Sequence, residues 1–154
     1  MKIFIMRHGE AEHFANSDAE RALTKRGKKL SLAVAQAAVE QGYSQFDKVL
    51  VSPYLRAQET WLEISQVFNA DKVETSEDIT PYGVSDEVFD FTLALAEVEK
   101  LDSLLFVSHL PLVGYLTAEF ATGMTPPMFP PSGMACIEFD LETRKGELLW
   151  NINP

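Results

Sequence analysis

The sequence predicts an α/β fold: a mainly parallel central sheet flanked by helices, closed by a C-terminal antiparallel hairpin. Two observations carry this. Short, wholly apolar runs such as "IFIM" and "LLFVS" alternate with longer segments of helical periodicity, the pattern of strands buried on both faces between helices. The last thirty residues change character, with two alternating segments on either side of the turn "ETRKG".

Ile3 to Met6 is apolar on both faces and reads as a buried strand. The polar segment "GEAEHFANSDAERAL" has no periodicity and reads as a loop. Thr24 is suited to cap a helix with Leu30, Val34, Ala37 and Ala38 on one face and Gly42 as its stop. "KVLVS" is a second strand. In the helix after it, Ser52 is the expected N-cap, Pro53 the first helical residue, and Trp61, Ile64 and Phe68 the buried face. Val73 to Thr75 gives a short strand and "TPYG" a turn. A helix from about Ser85 is expected to bury Val88, Phe91, Leu95 and Val98. Residues 104 to 108 form the clearest strand, succeeded by a helix ending at Gly123 and a proline-rich loop, "TPPMFPPSG".

A chain of 154 residues with 46% hydrophobic content suffices for one core, so a single domain spanning 1–154 is expected. Twenty-three acidic residues against thirteen basic ones give a net charge of −10, which repels nucleic acid and anionic lipid. No apolar stretch reaches bilayer-spanning length, so a cytoplasmic protein is expected, with a monomer as the default state. Cys136 is the only cysteine; alternating with Ala135 and Ile137, it reads as a small buried strand residue.

Three of the apolar strands lead at once into residues that chemistry can use. "IFIM" leads to Arg7 and His8, "VLV" to Ser52 and then Arg56, and "LLFV" to Ser108 and His109. In open α/β sheets ligands bind beyond the carboxyl ends of the strands, so these side chains are expected to converge. Guanidinium forks match phosphoryl oxygens, helix N-termini favour anions, and a neutral imidazole between arginines is a nucleophile for phosphorus. One arginine or histidine at a strand end is more often a structural group; the repetition after three strands carries the inference. His13, with His8, Glu10 and Glu12, makes a poor metal cluster, because its spacing matches no helical ligand pair and Arg7 would repel a cation.

"RHGE" after the first strand, "SPYLRAQET" after the second and "SHLPLVGYL" after a later one resemble the histidine phosphatase superfamily, or phosphoglycerate mutase-like fold. The "IMRHG" opening, the "HLPLVGYL…TPPMF" run and the short length are similar to its SixA-type branch, phosphohistidine phosphatases acting on histidine-phosphotransfer domains in two-component signalling. The resemblance implies that His8 is the nucleophile and that Arg7, Arg56 and His109 complete the catalytic pocket. It also implies that Gly9 admits close backbone approach; Ser108 is expected at the phosphate site from its place at the third strand end. Arg21 falls where this branch places a further phosphate or substrate contact; a solvated loop arginine is the other reading. No cofactor and no metal are called for. The implied partner is a phosphohistidine-bearing protein, a phosphotransfer domain or phosphocarrier, with phosphate as product.

Phosphomonoesterases of this fold usually add a carboxylate proton donor and a helical insertion over the site. The short stretch before "LLFVS" offers only Asp78, Asp86 and Glu87, none in an obvious donor context; Asp86 and Glu87 suit a helix N-terminus for its dipole alone. An alkoxide is a very basic leaving group, water itself having a pKa of about 15.7, and needs a positioned acid. A phosphohistidine can carry a proton on its own ring and depart as neutral imidazole. A small-ester phosphatase using one of those acids, and a non-catalytic phosphohistidine-binding module, stand as alternatives.

Overall fold

The computed structural model describes all 154 residues. A single six-stranded sheet is built from β1 (Lys2–Arg7), β2 (Gln45–Val51), β3 (Asn69–Thr75), β4 (Ser103–Ser108), β5 (Met134–Asp140) and β6 (Lys145–Ile152), in the order β3-β2-β4-β1-β5-β6. Its first four strands pair in parallel, whereas β5 runs antiparallel to β1 and pairs with β6 as a hairpin. This is the α/β architecture expected from the sequence.

Helices α1 (Lys25–Glu40), α2 (Leu55–Ile64), α3 (Ser85–Glu99) and α4 (Leu112–Phe120) cover both faces. Because side chains alternate along a strand, β1 serves two cores. Ile3 and Ile5 pack with Leu104, Phe106, Val88, Leu116 and Phe120 beneath α3 and α4. Phe4 and Met6 pack with Leu105, Val107, Val34, Ala57 and Ile64 beneath α1 and α2. Cys136 lies buried in the second core, where burial pushes its thiol up to about 12, as befits an inert core residue.

Four local expectations are corrected. Helix α2 begins at Leu55 with Tyr54 as its N-cap and ends at Ile64, so Ser52 and Pro53 precede it and Phe68 lies beyond it, still buried. Thr24 does cap α1, accepting from the Gly27 N–H at 2.9 Å, but the buried face is Gly27, Ser31, Val34, Ala35 and Ala38. Gly27 turns inward because the helix presses on the loop after β1: a Cβ there would collide with the Glu10 carbonyl oxygen. Helix α3 buries Val88, Thr92, Leu93 and Ala96, leaving Phe91 and Val98 exposed. Its sequence is apolar on several faces, and the packing of Phe89 against Phe120 and Phe139 selects the orientation. Helix α4 stops at Phe120, three residues before Gly123, whose φ of +79° belongs to the turn beyond the helix.

Candidate active site

Strand register assembles the site. Arg7 pairs with Ser108 across β1 and β4, and Val51 pairs with Val107 across β2 and β4. Neighbouring strands lie about 4.8 Å apart. The residues just past the three strands, His8, Ser52 and His109, therefore emerge side by side on the carboxyl edge, where β4 separates β1 from β2. The His8 and His109 rings are 5.0 Å apart between centroids, and both residues are buried.

The His8 ring is fixed at both nitrogens. Nδ1 lies 2.7 Å from the Gly9 carbonyl oxygen; a carbonyl only accepts, so Nδ1 carries the proton. Arg56, in the first turn of α2, donates from Nε to His8 Nε2 at 3.3 Å, which makes Nε2 the lone-pair nitrogen. Burial is the main force against a charge on this ring; the Gly9 contact opposes it, and Arg56, Arg7 and Arg21 add to it, with the net result near 3. His109 is lowered to about 2 by burial, then by His8 and Arg56. Its Nε2 lies 2.7 Å from Ser52 Oγ, and its buried Nδ1 has no protein partner.

Arginines frame this pair. Arg7 donates from Nη1 to the Phe129 carbonyl at 2.9 Å, while its buried Nε is unpartnered. Arg56 donates from Nη1 to the Asp18 carbonyl at 2.7 Å and from Nη2 to the Asp18 carboxylate at 3.1 Å. Arg21 donates to the same carboxylate at 2.9 Å and to the Glu12 carbonyl at 2.7 Å. Arg21 is thus tied through Asp18 to Arg56, with both of its bonds at the exposed surface. The bond to Arg21, then that to Arg56, hold the Asp18 carboxyl below its ordinary range, so it is an anchor and no proton donor at neutral pH. Tyr54 closes one side, 5.0 Å from the His109 ring and 5.0 Å from the Arg56 guanidinium carbon.

Two expected phosphate-site residues are bonded to neighbouring elements. The Gly9 N–H donates to Thr60 Oγ1 at 3.0 Å, and a Cβ on Gly9 would lie 2.6 Å from Ser31 Oγ. The missing Cβ of Gly9 therefore admits the close approach of α1. Thr60 donates in turn to the Arg56 carbonyl at 2.7 Å, linking the His8 loop to α2. Ser108 donates its hydroxyl to the Ile79 carbonyl at 2.7 Å and its carbonyl accepts from the His8 N–H at 2.9 Å; it anchors the loops without reaching the pocket by its side chain.

Glu10 accepts from Thr24 and Arg26 at 2.9 and 2.8 Å, fixing the loop to the start of α1. No group of three or more histidine, cysteine or acidic side chains is close enough to hold a metal ion, so His8, His13, Glu10 and Glu12 do not form a cluster. Asp78 and Glu87 line a separate cleft of about 250 Å³ with Glu77 and Tyr82, which none of the four arginine and histidine site residues lines.

Sequence reading overlooked Asp18, Tyr54 and Thr60 and gave Ser52 a different role. Asp18 carries one local signal, its spacing of three from Arg21, a pairing that the 3-10 turn Asp18–Glu20 makes possible.

The lowered histidines predict a pH response. Unfolded imidazoles protonate near pH 6.5, whereas the folded rings stay neutral down to about 3 and 2. Between those limits the unfolded chain binds more protons, so stability falls with acidification, by up to about 1.4 kcal/mol per pH unit for each ring. NMR titration of His8 and His109 is expected to show no inflection from pH 8 to 5.

A doubly covered α/β sheet with neutral imidazoles framed by arginines at its switch point defines the phosphoglycerate mutase-like class. Within that class the chain belongs to the histidine phosphatase superfamily (branch 1), whose family pattern matches residues 3–81. It is 43% identical to the phosphohistidine phosphatase SixA homolog of Haemophilus influenzae, covering 97% of this chain and 93% of that protein. It is 41% identical to the phosphohistidine phosphatase SixA of Escherichia coli, covering 100% and 94%. The solved structure of the protein histidine phosphatase SixA complexed with tungstate superposes with a TM-score of 0.93 at 41% identity, over 100% of this chain and 97% of that one.

Proposed function

We propose that the protein is a phosphohistidine phosphatase that draws the phosphoryl group from a partner's histidine onto Nε2 of His8 and then passes it to water. The observation that carries this reading is the His8 imidazole, neutral, protonated on Nδ1 by its bond to the Gly9 carbonyl, and presenting the Nε2 lone pair beside Arg56. Near-full-length relatives named as phosphohistidine phosphatases support it, as does a relative that binds tungstate, a tetrahedral oxyanion like phosphate.

Both steps run without a carboxylic acid. In the first, the Arg56 Nε–H that rests on His8 Nε2 turns to a phosphoryl oxygen, the freed Nε2 lone pair attacks phosphorus, and the substrate's N–P bond breaks. A substrate ring protonated on its other nitrogen leaves as neutral imidazole. His8, already carrying a proton on Nδ1, becomes the protonated phosphoimidazole, and the Gly9 carbonyl stabilises that form. In the second, water attacks phosphorus, the Nε2–P bond breaks, and His8 leaves neutral; the water proton passes to the phosphate product. Arg7, Arg56 and Arg21 offset the charge on the phosphoryl oxygens throughout.

The substrate is borne by a protein, a phosphotransfer domain or phosphocarrier. Three loops tied to the site each display a large exposed side chain: Phe14 on the Asp18 loop, Tyr82 after Ile79, and Met128 beside Phe129. Exposed apolar side chains on loops tied to the site suit a protein surface better than a small ester. The same reading makes the protein a cytoplasmic monomer of one domain, 1–154, in two-component signalling; no helix is long and apolar enough to cross a membrane.

The test is phosphate release from a histidine-phosphorylated phosphotransfer domain, set beside an aryl and an alkyl phosphate. Phosphohistidine is expected to be hydrolysed. The alkyl ester is expected to lag the aryl ester by at least the 10²–10⁴-fold, roughly, that a general acid contributes. An alkyl ester cleaved as fast as the aryl one, or a phosphohistidine left intact, would overturn the assignment.

A further inference from the structure

Ser52 sits immediately after β2, fully buried, and its backbone is held on both sides. Its N–H donates to the Val107 carbonyl at 3.0 Å, and its carbonyl accepts from Gln58 Nε2 at 2.8 Å. The side chain is equally constrained. Oγ accepts from the Tyr54 N–H at 3.3 Å and lies 2.7 Å from His109 Nε2.

A hydroxyl has one proton to give. The one acceptor facing Ser52 Oγ is His109 Nε2, because Tyr54 presents a donor. Were Nε2 instead protonated, the imidazole and the Tyr54 amide would both donate to Oγ, and the buried hydroxyl proton would have no acceptor, a costly arrangement. The proton of His109 therefore belongs on Nδ1, the buried nitrogen that has no protein partner.

We infer that Ser52 is a positioning residue that fixes His109 in its Nδ1–H tautomer, so that His109 meets the phosphoryl group as a hydrogen-bond donor. The two histidines both carry their proton on Nδ1 but use opposite nitrogens for chemistry. His8 spends its Nδ1–H on the Gly9 carbonyl and keeps Nε2 as the nucleophile. His109 spends its Nε2 on Ser52 and keeps Nδ1–H for a phosphoryl oxygen. This division explains why one ring attacks and the other binds although both are neutral and lie 5.0 Å apart. It rests on the proposed function, in which the pocket accepts a phosphoryl group.

Nitrogen-15 NMR of the imidazoles in the intact protein tests it, with and without inorganic phosphate. Wild-type His109 is expected to show a protonated Nδ1 and an acceptor Nε2, with the Nδ1 proton moving downfield as phosphate binds. In Ser52→Ala, His109 is expected to shift toward the Nε2–H tautomer. Phosphate affinity should then fall by about 10–100-fold, the usual cost of one hydrogen bond to a charged group. Ser52→Thr, which keeps the hydroxyl, is expected to restore both wherever it folds. Wild-type His109 protonated on Nε2 would overturn the inference without any variant. Ser52→Ala with unchanged tautomer and unchanged phosphate affinity would also overturn it. Failure to hydrolyse phosphohistidine, with the tautomer as expected, would count against the functional reading alone.

Discussion

Replacing His8 by Asn is expected to leave the fold intact and to lower turnover of phosphohistidine by more than about 10⁴-fold, the scale on which removal of a covalent nucleophile acts. The amide of Asn can preserve polar contacts near the Gly9 carbonyl, but it has no unshared imidazole pair to attack phosphorus. The structural cost is small, because the contacts that seat the loop are backbone ones. The His8 N–H donates to the Ser108 carbonyl at 2.9 Å, and the His8 carbonyl accepts from the Ser132 N–H at 3.0 Å. Phosphate affinity should persist, since Arg7, Arg56 and His109 remain. Single-turnover kinetics and circular dichroism on the same preparation separate the two effects. A variant that folds and still turns over at a tenth of the wild-type rate would contradict the assignment of the nucleophile.

The second large effect is expected at Arg56→Lys. This guanidinium makes three distinct bonds from one side chain, to His8 Nε2, to the Asp18 carbonyl and to the Asp18 carboxylate. An ammonium can supply charge, but it cannot hold that planar fork. The lysine variant loses the bond to His8 Nε2, the proposed nucleophile, and releases Asp18, which in turn holds Arg21. A fall in kcat of about 10²–10³-fold is expected, in line with the loss of one preorganised donor to a charged transition state, with a smaller change in KM. Near-wild-type kcat in Arg56→Lys would show that charge alone suffices.

The pocket was readable in the sequence because a buried parallel strand makes its own boundary visible. In "IMRHGE" and "LLFVSH" the apolar run stops at the residue where the chain leaves the core, so the residues just beyond it must lie on the carboxyl edge. The anchors of the pocket were harder to read because they are long-range. "SPYLR" satisfies every local rule for a helix start, yet Ser52 is taken by His109, 57 residues away, and the helix begins three residues later. Asp18 lies in a loop without periodicity, and its bond to Arg56 depends on that loop being folded back by the Ala11–Leu23 bridge. Helix α3 shows the same limit in the core: several apolar stripes are available, and Phe120 and Phe139, from α4 and β5, decide which is buried.

Passage of phosphorus through His8 is tested most directly by stopping the reaction midway. The enzyme is mixed with a phosphotransfer domain carrying ³²P on its histidine and quenched within the first turnover in alkaline denaturant, which preserves phosphohistidine. Label is expected on the peptide containing His8, attached at Nε2, and is expected to decay as phosphate appears. Phosphate release with no label on His8 at any time, or label on Nδ1, would contradict His8 Nε2 as the nucleophile.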